Sequence, residues 1–160
     1  MPSKPLNRFG IDYIRQDVTA QHEFAVASFD LVVCHFGLTD IDDLDGMLVT
    51  GSQALRPGGA FVFSIVHSCF PGWGENSPSS WPPGGDYYAE GWWLAQNPVL
   101  RGKVGANHPT LSTYLNSLVV HGFVLERVAE PAPDPGWLKS KPPGTPRPVY
   151  LVARCRRADH

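Results

Sequence analysis

Two histidines stand at the ends of predicted elements and carry the side chain best suited to proton transfer near neutral pH. His67 follows the apolar run 60–66, which is a predicted strand, and His108 precedes a predicted helix. Ligands of open α/β sheets bind in the crevice at the carboxyl ends of the strands. This position favours His67 as a general base, with His108 as the second candidate. A purely structural histidine is the alternative for each.

Metal, serine and disulfide chemistry find less support in the sequence. His67, Cys69 and His108 are plausible ligand types, but their spacing matches no recognised metal motif. Ser64 and Ser112 lack the GxSxG turn of a serine hydrolase. The three cysteines form no CxxC pair, so the sequence predicts neither a zinc knuckle nor a disulfide framework. We therefore expect no metal and a reduced, cytoplasmic setting.

Residues 68–108 differ in composition from the rest of the chain, being rich in glycine, proline and aromatic side chains. Long segments of this kind are often binding loops or lids. We predict an insertion that serves as a substrate lid, although it could equally only be stapled to the surface. The aromatic residues predicted to wall an apolar substrate pocket are Phe70, Tyr87, Tyr88, Trp92 and Trp93.

Composition excludes several classes of function. The chain has 160 residues and a net charge of −2, so electrostatics favour neither nucleic acid nor a membrane surface as a partner. The basic cluster 154–157 is interpreted as a solvated strand end. No apolar run approaches the roughly 18–20 residues of a membrane span, and none follows the N-terminus as in a signal peptide.

Apolar patterning predicts a single α/β domain over residues 1–160. Near-continuous apolar runs at 29–36 and 60–66 indicate strands covered on both faces, as in a parallel sheet. The helix between them completes a right-handed βαβ unit. The remaining predicted strands are 10–15, 123–129 and 148–156, and a second helix spans 109–121.

Periodicity assigns the buried face of each helix. In the first, a common face is predicted for Leu44, Met47, Leu48, Gly51 and Leu55. In the second, it is predicted for Leu111, Tyr114, Leu115, Leu118 and Val119. Aspartates at 40, 42 and 43 suit the start of the first helix, and Gly122 suits the position after the second.

The βαβ segment also resembles a known family in its wording. Phe29-Asp30-Leu31-Val32-Val33, followed by Leu55-Arg56-Pro57-Gly58-Gly59 and an apolar strand, is similar to class I S-adenosylmethionine-dependent methyltransferases of the small-molecule, type 11/12-like group. The similarity runs from residue 10 to 156. It implies a Rossmann-like sheet, S-adenosylmethionine as cofactor and a small-molecule methyl acceptor.

The resemblance also implies cofactor contacts. Asp17 and Val18 match the family's acidic residue and backbone N–H at the adenine edge, and the alternative for Asp17 is a carboxylate in a polar turn. His35 and Phe36 end the strand that faces the cofactor, with a core histidine and a core aromatic as the alternatives. An aromatic ring there would suit the positive sulfonium.

One part of the family pattern has no match. The family's glycine-rich loop precedes the segment matched here, and only nine residues stand before Gly10, too few for two strands and two helices. The resemblance therefore predicts an N-terminally truncated domain with weak or absent turnover. The alternative is a non-catalytic remnant or a module completed by a partner, with self-association through the exposed edge of the strand at 29–36.

Overall fold

The computed structural model describes residues 10–20, 24–70, 86–94, 100–139 and 148–159. Its main sheet has four strands, in the order β1-β2-β6-β5. They are β1 Phe29–His35, β2 Leu55–Val66, β5 Phe123–Ala129 and β6 Tyr150–Arg157. β1 and β2 are parallel, whereas β6 is antiparallel to both β2 and β5. The fold is therefore α/β with a mixed sheet. The strands β1, β2 and β5 run in the same direction and end at one edge, here called the carboxyl edge.

Two helices cover one face of this sheet. They are α1 Leu44–Ala54 and α3 Leu111–Val120, and two shorter helices are α2 Leu100–Val104 and α4 Pro135–Leu138. The Asp43 carboxylate accepts a hydrogen bond from the Gly46 N–H at 2.8 Å and so caps α1. Gly122 follows α3 with a φ of 78°, the left-handed conformation expected of a glycine at that position.

The core lies between the helices and one face of β2. Phe61, Phe63 and Ile65 are at most 1% exposed and form one cluster with residues of both helices. The face predicted for α1 is confirmed for Leu44, Met47, Leu48 and Gly51, whereas Leu55, although buried, lies outside the helix and begins β2. In α3 the prediction is wrong for Val119, which is 69% exposed because it lies beyond the edge of the buried stripe.

The opposite face of β1 is open. Leu31 is 52% exposed and Val33 is 62% exposed, since α1 and α3 both pack on the other side. The expectation that this strand is covered on both faces is therefore wrong. We call Phe29, Leu31 and Val33 the open face of β1.

Residues 10–15 do not form the predicted strand. Ile11 makes an isolated bridge, and Ile11, Tyr13 and Ile14 are all more than half exposed. Alternation alone does not make a strand, because a strand is held by hydrogen bonds to a neighbour along its length. Among the described residues, no helix is long and apolar enough to cross a membrane.

The described part of the insertion contains regular structure that its composition did not indicate. β3 Gly91–Trp93 pairs antiparallel with β4 Ala106–His108, and Gly91 lies opposite His108. α2 lies between these strands in the chain. Asn107 donates a hydrogen bond to the carbonyl of Ile41 at 3.2 Å, which ties β4 to the loop before α1.

Candidate active site

The end of β1 is joined to β2 through Ser64. The Ser64 Oγ lies 2.7 Å from His35 Nδ1 and also accepts a weaker hydrogen bond from the Phe36 N–H at 3.3 Å. The same N–H donates to the Ser64 carbonyl at 2.9 Å. His35 is exposed, so the alternative of a core histidine does not describe it.

Phe36 holds an uncommon backbone conformation at this edge. Its φ of 58° is left-handed, which side chains other than glycine rarely adopt outside functional or tightly held positions. The Phe36 ring lies 4.3 Å from the His35 ring and 5.4 Å from the Tyr150 ring, centroid to centroid. The Thr39 hydroxyl donates to the Phe36 carbonyl at 2.7 Å. With the two hydrogen bonds to Ser64, five contacts therefore fix this residue where β1 leaves the sheet.

Asp17 and Val18 lie beside the start of α1. A Cβ added at Gly46 would come within 2.7 Å of the Thr19 carbonyl oxygen, so the 17–19 turn sits directly on that helix. The Thr19 N–H and hydroxyl both donate to Asp17 Oδ1, and they hold the pKa of Asp17 below its usual value. Val18 packs against the core cluster. Both predicted adenine contacts are thus anchored, and the Asp17 carboxylate is exposed.

His67 is 3% exposed and uses both ring nitrogens. Its Nε2 lies 2.8 Å from Glu130 Oε1, and its Nδ1 accepts the Cys69 N–H at 3.1 Å. Its general-base role stays a prediction, and both ring nitrogens are hydrogen-bonded to protein groups in this arrangement. Phe70, which is 8% exposed, closes a turn in which its backbone N–H donates a hydrogen bond to the His67 carbonyl.

His108, the last residue of the insertion, contacts Tyr87 earlier in the same segment. It is 1% exposed, and its Nε2 lies 2.9 Å from the Tyr87 carbonyl, to which it donates. The rings of Tyr87 and Tyr88 are 5.2 Å apart, and those of Tyr87 and His108 are 6.0 Å apart. His108 therefore holds Tyr87 through a hydrogen bond and a ring contact, and its role as a second general base stays a prediction.

The predicted pocket aromatics divide by exposure. Tyr88 is 83% exposed and Trp92 is 50% exposed, whereas Trp93 is 9% exposed and packs on Ala106. Trp92 and Trp93 both lie on β3. Tyr88 and Trp92 are therefore available to a ligand, whereas Trp93 stabilises the pairing of β3 with β4. Their role as a substrate wall stays a prediction.

Glu90 fastens the insertion to the first turn of α3. Its Oε1 accepts the Thr110 N–H at 2.5 Å and the Thr113 hydroxyl at 2.6 Å, and the Tyr87 hydroxyl accepts the Leu111 N–H at 2.9 Å. Burial raises the pKa of Glu90, but the hydrogen bonds from Thr113 and Thr110 outweigh it and hold the pKa below the usual 4.5. The contact is present when Glu90 is ionised.

This contact predicts an acid-sensitive attachment. Because the folded-state pKa of Glu90 is depressed, its contribution to stability is complete above pH 4.5 and is lost as the pH falls through the lower folded value. We expect Glu90→Gln to cost about 1 kcal/mol at pH 7, discounted for partial exposure. Urea unfolding at pH 7 and pH 3 measures it. An equal loss on acidification in the wild type and the variant would contradict the assignment.

Sequence reasoning missed three residues of this edge. Glu130 and Tyr150 gave no signal because their contacts depend on β6 lying between β2 and β5, and Ser64 was weighed only as a nucleophile. Among the described residues, no group of three or more His, Cys, Asp or Glu side chains is placed to hold a metal.

Comparison with known proteins shows which family the chain is similar to. A family model described as "Methyltransferase domain" matches residues 2–63. No curated protein matches the chain. An S-adenosylmethionine-dependent methyltransferase from Mesorhizobium loti is 31% identical with a TM-score of 0.71, and the match covers 94% of this chain and 71% of that one.

Two more distant structures share the fold. A SAM-dependent methyltransferase from Methanosarcina mazei is 15% identical, with a TM-score of 0.62 over 91% of this chain and 66% of that one. The 1,6-didemethyltoxoflavin-N1-methyltransferase of Burkholderia thailandensis, solved with 1,6-didemethyltoxoflavin and S-adenosylhomocysteine, is 17% identical, with a TM-score of 0.55 over 89% and 48%. Because the chain is 31% identical to the Mesorhizobium loti protein over 94% of its own residues, it belongs to the class I S-adenosylmethionine-dependent methyltransferases.

Proposed function

We propose that the chain binds S-adenosylmethionine at the carboxyl edge beside β1 and serves methyl transfer to a small molecule. The observation that carries this proposal is Phe36, whose strained backbone is fixed by Ser64 and Thr39 at the end of β1. Strain that the surroundings over-determine is typical of ligand sites. S-adenosylmethionine, when bound, supplies an electrophilic methyl group on a positive sulfur.

The described residues fit the adenine end of the cofactor. Asp17 presents an exposed carboxylate whose low pKa keeps it ionised, so it can accept a hydrogen bond from an amino group. Phe36 offers an aromatic ring that is partly exposed. Among residues 10–20, 24–70, 86–94, 100–139 and 148–159, no glycine-rich loop follows a strand and opens a helix. The fit therefore concerns the adenine and sulfonium region alone.

We assign the insertion 68–108 as a substrate lid. Its described part is fastened at two points, by Asn107 to the loop before α1 and by Glu90 to the start of α3. The rings of Tyr88 and Trp92 are exposed and available to an apolar acceptor. The Burkholderia thailandensis structure holds the small molecule 1,6-didemethyltoxoflavin, which supports a small-molecule acceptor for this chain. The three cysteines form no disulfide with one another, which supports our placing the chain in the cytoplasm.

Calorimetric titration with S-adenosylhomocysteine tests the proposed function, after circular dichroism has shown a folded chain. We expect micromolar binding, weakened about tenfold by Phe36→Ala because an aromatic contact with the ligand is lost. Phe29→Ala is the control, since Phe29 lies at the other end of the same strand. A folded chain that gives no heat of binding would end the claim.

A second candidate is a module that a partner completes, and the open face of β1 favours it. An edge strand with exposed apolar side chains is a ready site for strand addition. Size-exclusion chromatography with light scattering tests it. A dimer that Val33→Lys converts to a monomer supports self-association, whereas a monomer at all concentrations counts against it.

A further inference from the structure

The carboxyl edge contains a second polar group, the pair formed by His67 and Glu130. The two residues are 63 positions apart and are brought together because β6 begins between the ends of β2 and β5. The backbone N–H of His67 donates a hydrogen bond at 2.9 Å to the carbonyl of Val149, which lies just before β6. Three chain segments therefore build this site.

Hydrogen bonding fixes the protonation of the imidazole. His67 Nδ1 accepts the Cys69 N–H, so it carries no proton, and Nε2 carries the proton that it donates to Glu130 Oε1. The ring is therefore neutral in this arrangement. It orients the Glu130 carboxylate without cancelling its charge.

A carboxylate on β5, the strand that ends just before Glu130, shows the contrast. Glu126 lies between two arginines, with Arg154 Nε at 2.9 Å and Arg156 Nε at 3.5 Å. Glu130 is held by a neutral donor and its side chain is 51% exposed. The charge of Glu126 is compensated by two arginines, whereas the described contact of Glu130 is the neutral His67 ring.

Ser68 adds a polar atom next to this pair. It is 2% exposed, and its hydroxyl has no hydrogen-bond partner among the described residues. Buried hydroxyls without a partner are uncommon and call for an explanation. Because this hydroxyl is enclosed by the protein, the atoms of this group that a ligand can reach are those of the half-exposed Glu130 carboxylate.

We infer that the His67–Glu130 pair binds the amino group of the methyl acceptor, which is therefore a cationic amine. Glu130 is the contact, and His67 is a positioning residue that acts through it. This inference rests on the proposed function and names its substrate class. An exposed carboxylate of fixed orientation attracts an ammonium group and disfavours an anionic acceptor.

The test compares benzylamine with benzyl alcohol, two probes of one shape that differ in charge at pH 7. Binding to the full chain is followed by NMR at the backbone amides of Cys69 and Glu130. We expect the amine to bind about fivefold more tightly than the alcohol, the size of one exposed charge contact. The imidazole nitrogens should show Nε2 protonated and Nδ1 bare.

Two variants separate this site from general electrostatics. Glu130→Gln should bring the amine and the alcohol to equal affinity, whereas Glu126→Gln should keep the preference. Equal affinity in the wild type, or a preference that survives Glu130→Gln, would overturn the inference. His67→Gln, checked for folding by circular dichroism, should lower the preference while Glu130 is retained.

S-adenosylhomocysteine binding distinguishes the two proposals. Glu130→Gln should leave its calorimetric affinity unchanged. Cofactor binding without amine preference would reject the acceptor class and keep the proposed function. Amine preference without cofactor binding would keep the site and reject methyl transfer.

Discussion

Replacing Phe61 by alanine is expected to lower the free energy of unfolding by about 3–5 kcal/mol. Phe61 is fully buried in β2, and its ring lies 5.7 Å from Phe63 and 5.1 Å from Phe123. The truncation leaves a void between the sheet and both helices. Because small domains are stable by only about 5–15 kcal/mol, much of the total is lost. Urea unfolding followed by circular dichroism measures the change.

Val33→Ala is the matched control for this loss. Val33 lies on the neighbouring strand but on the opposite face, and it is 62% exposed. We expect a change within about 0.5 kcal/mol. A loss at Val33 as large as that at Phe61 would mean that the open face of β1 is covered in solution, which would favour the partner-completed module.

Gly46→Ala is expected to weaken the binding of S-adenosylhomocysteine by about tenfold, the effect of misplacing one or two ligand contacts. A methyl group there would lie 2.4 Å from Asp43 Oδ2 and 2.7 Å from the Thr19 carbonyl oxygen. Since the second atom belongs to the backbone, the 17–19 turn must move, and Asp17 and Val18 move with it. Calorimetry of the folded variant measures the effect.

Gly51→Ala serves as the control in the same helix. Its added Cβ would meet the Phe61 ring at 3.7 Å, an ordinary contact. We expect unchanged affinity and a gain in stability of about 0.5–1 kcal/mol, because alanine favours a helix interior over glycine. If Gly46→Ala binds as tightly as Gly51→Ala, the turn at 17–19 does not contribute to the cofactor site.

Much of the fold could be predicted from local patterns. The strands β1, β2, β5 and β6 and the helices α1 and α3 were each marked by apolar runs or periodicity, although β2 begins at Leu55 and so is longer than the predicted strand 60–66. The short β3 and β4 were not, because a three-residue strand has no period and is held by its partner. The predicted strand at 10–15 failed for the same reason, since alternation does not supply a neighbour.

The candidate site was predicted in part. Strand ends drew attention to Phe36 and His67, and both lie at the carboxyl edge because the edge of a parallel pair is set by chain direction. The partner of His67 could not be predicted, since Glu130 reaches it only through the placing of β6. Burial likewise cannot be judged from a single residue, as His35 and His67 show by lying in opposite environments.

The position of β6 has a consequence for how the chain is made. The strand β6 comes last among the described strands but occupies the middle of the sheet, and its Arg156 pairs with Ala60, 96 positions earlier in the chain. Contacts this remote form late, after the entropy of closing a long loop has been overcome. During synthesis β2 therefore waits with one edge bare until the C-terminal residues leave the ribosome, and a chaperone that shields β2 in that interval should raise the yield of folded protein.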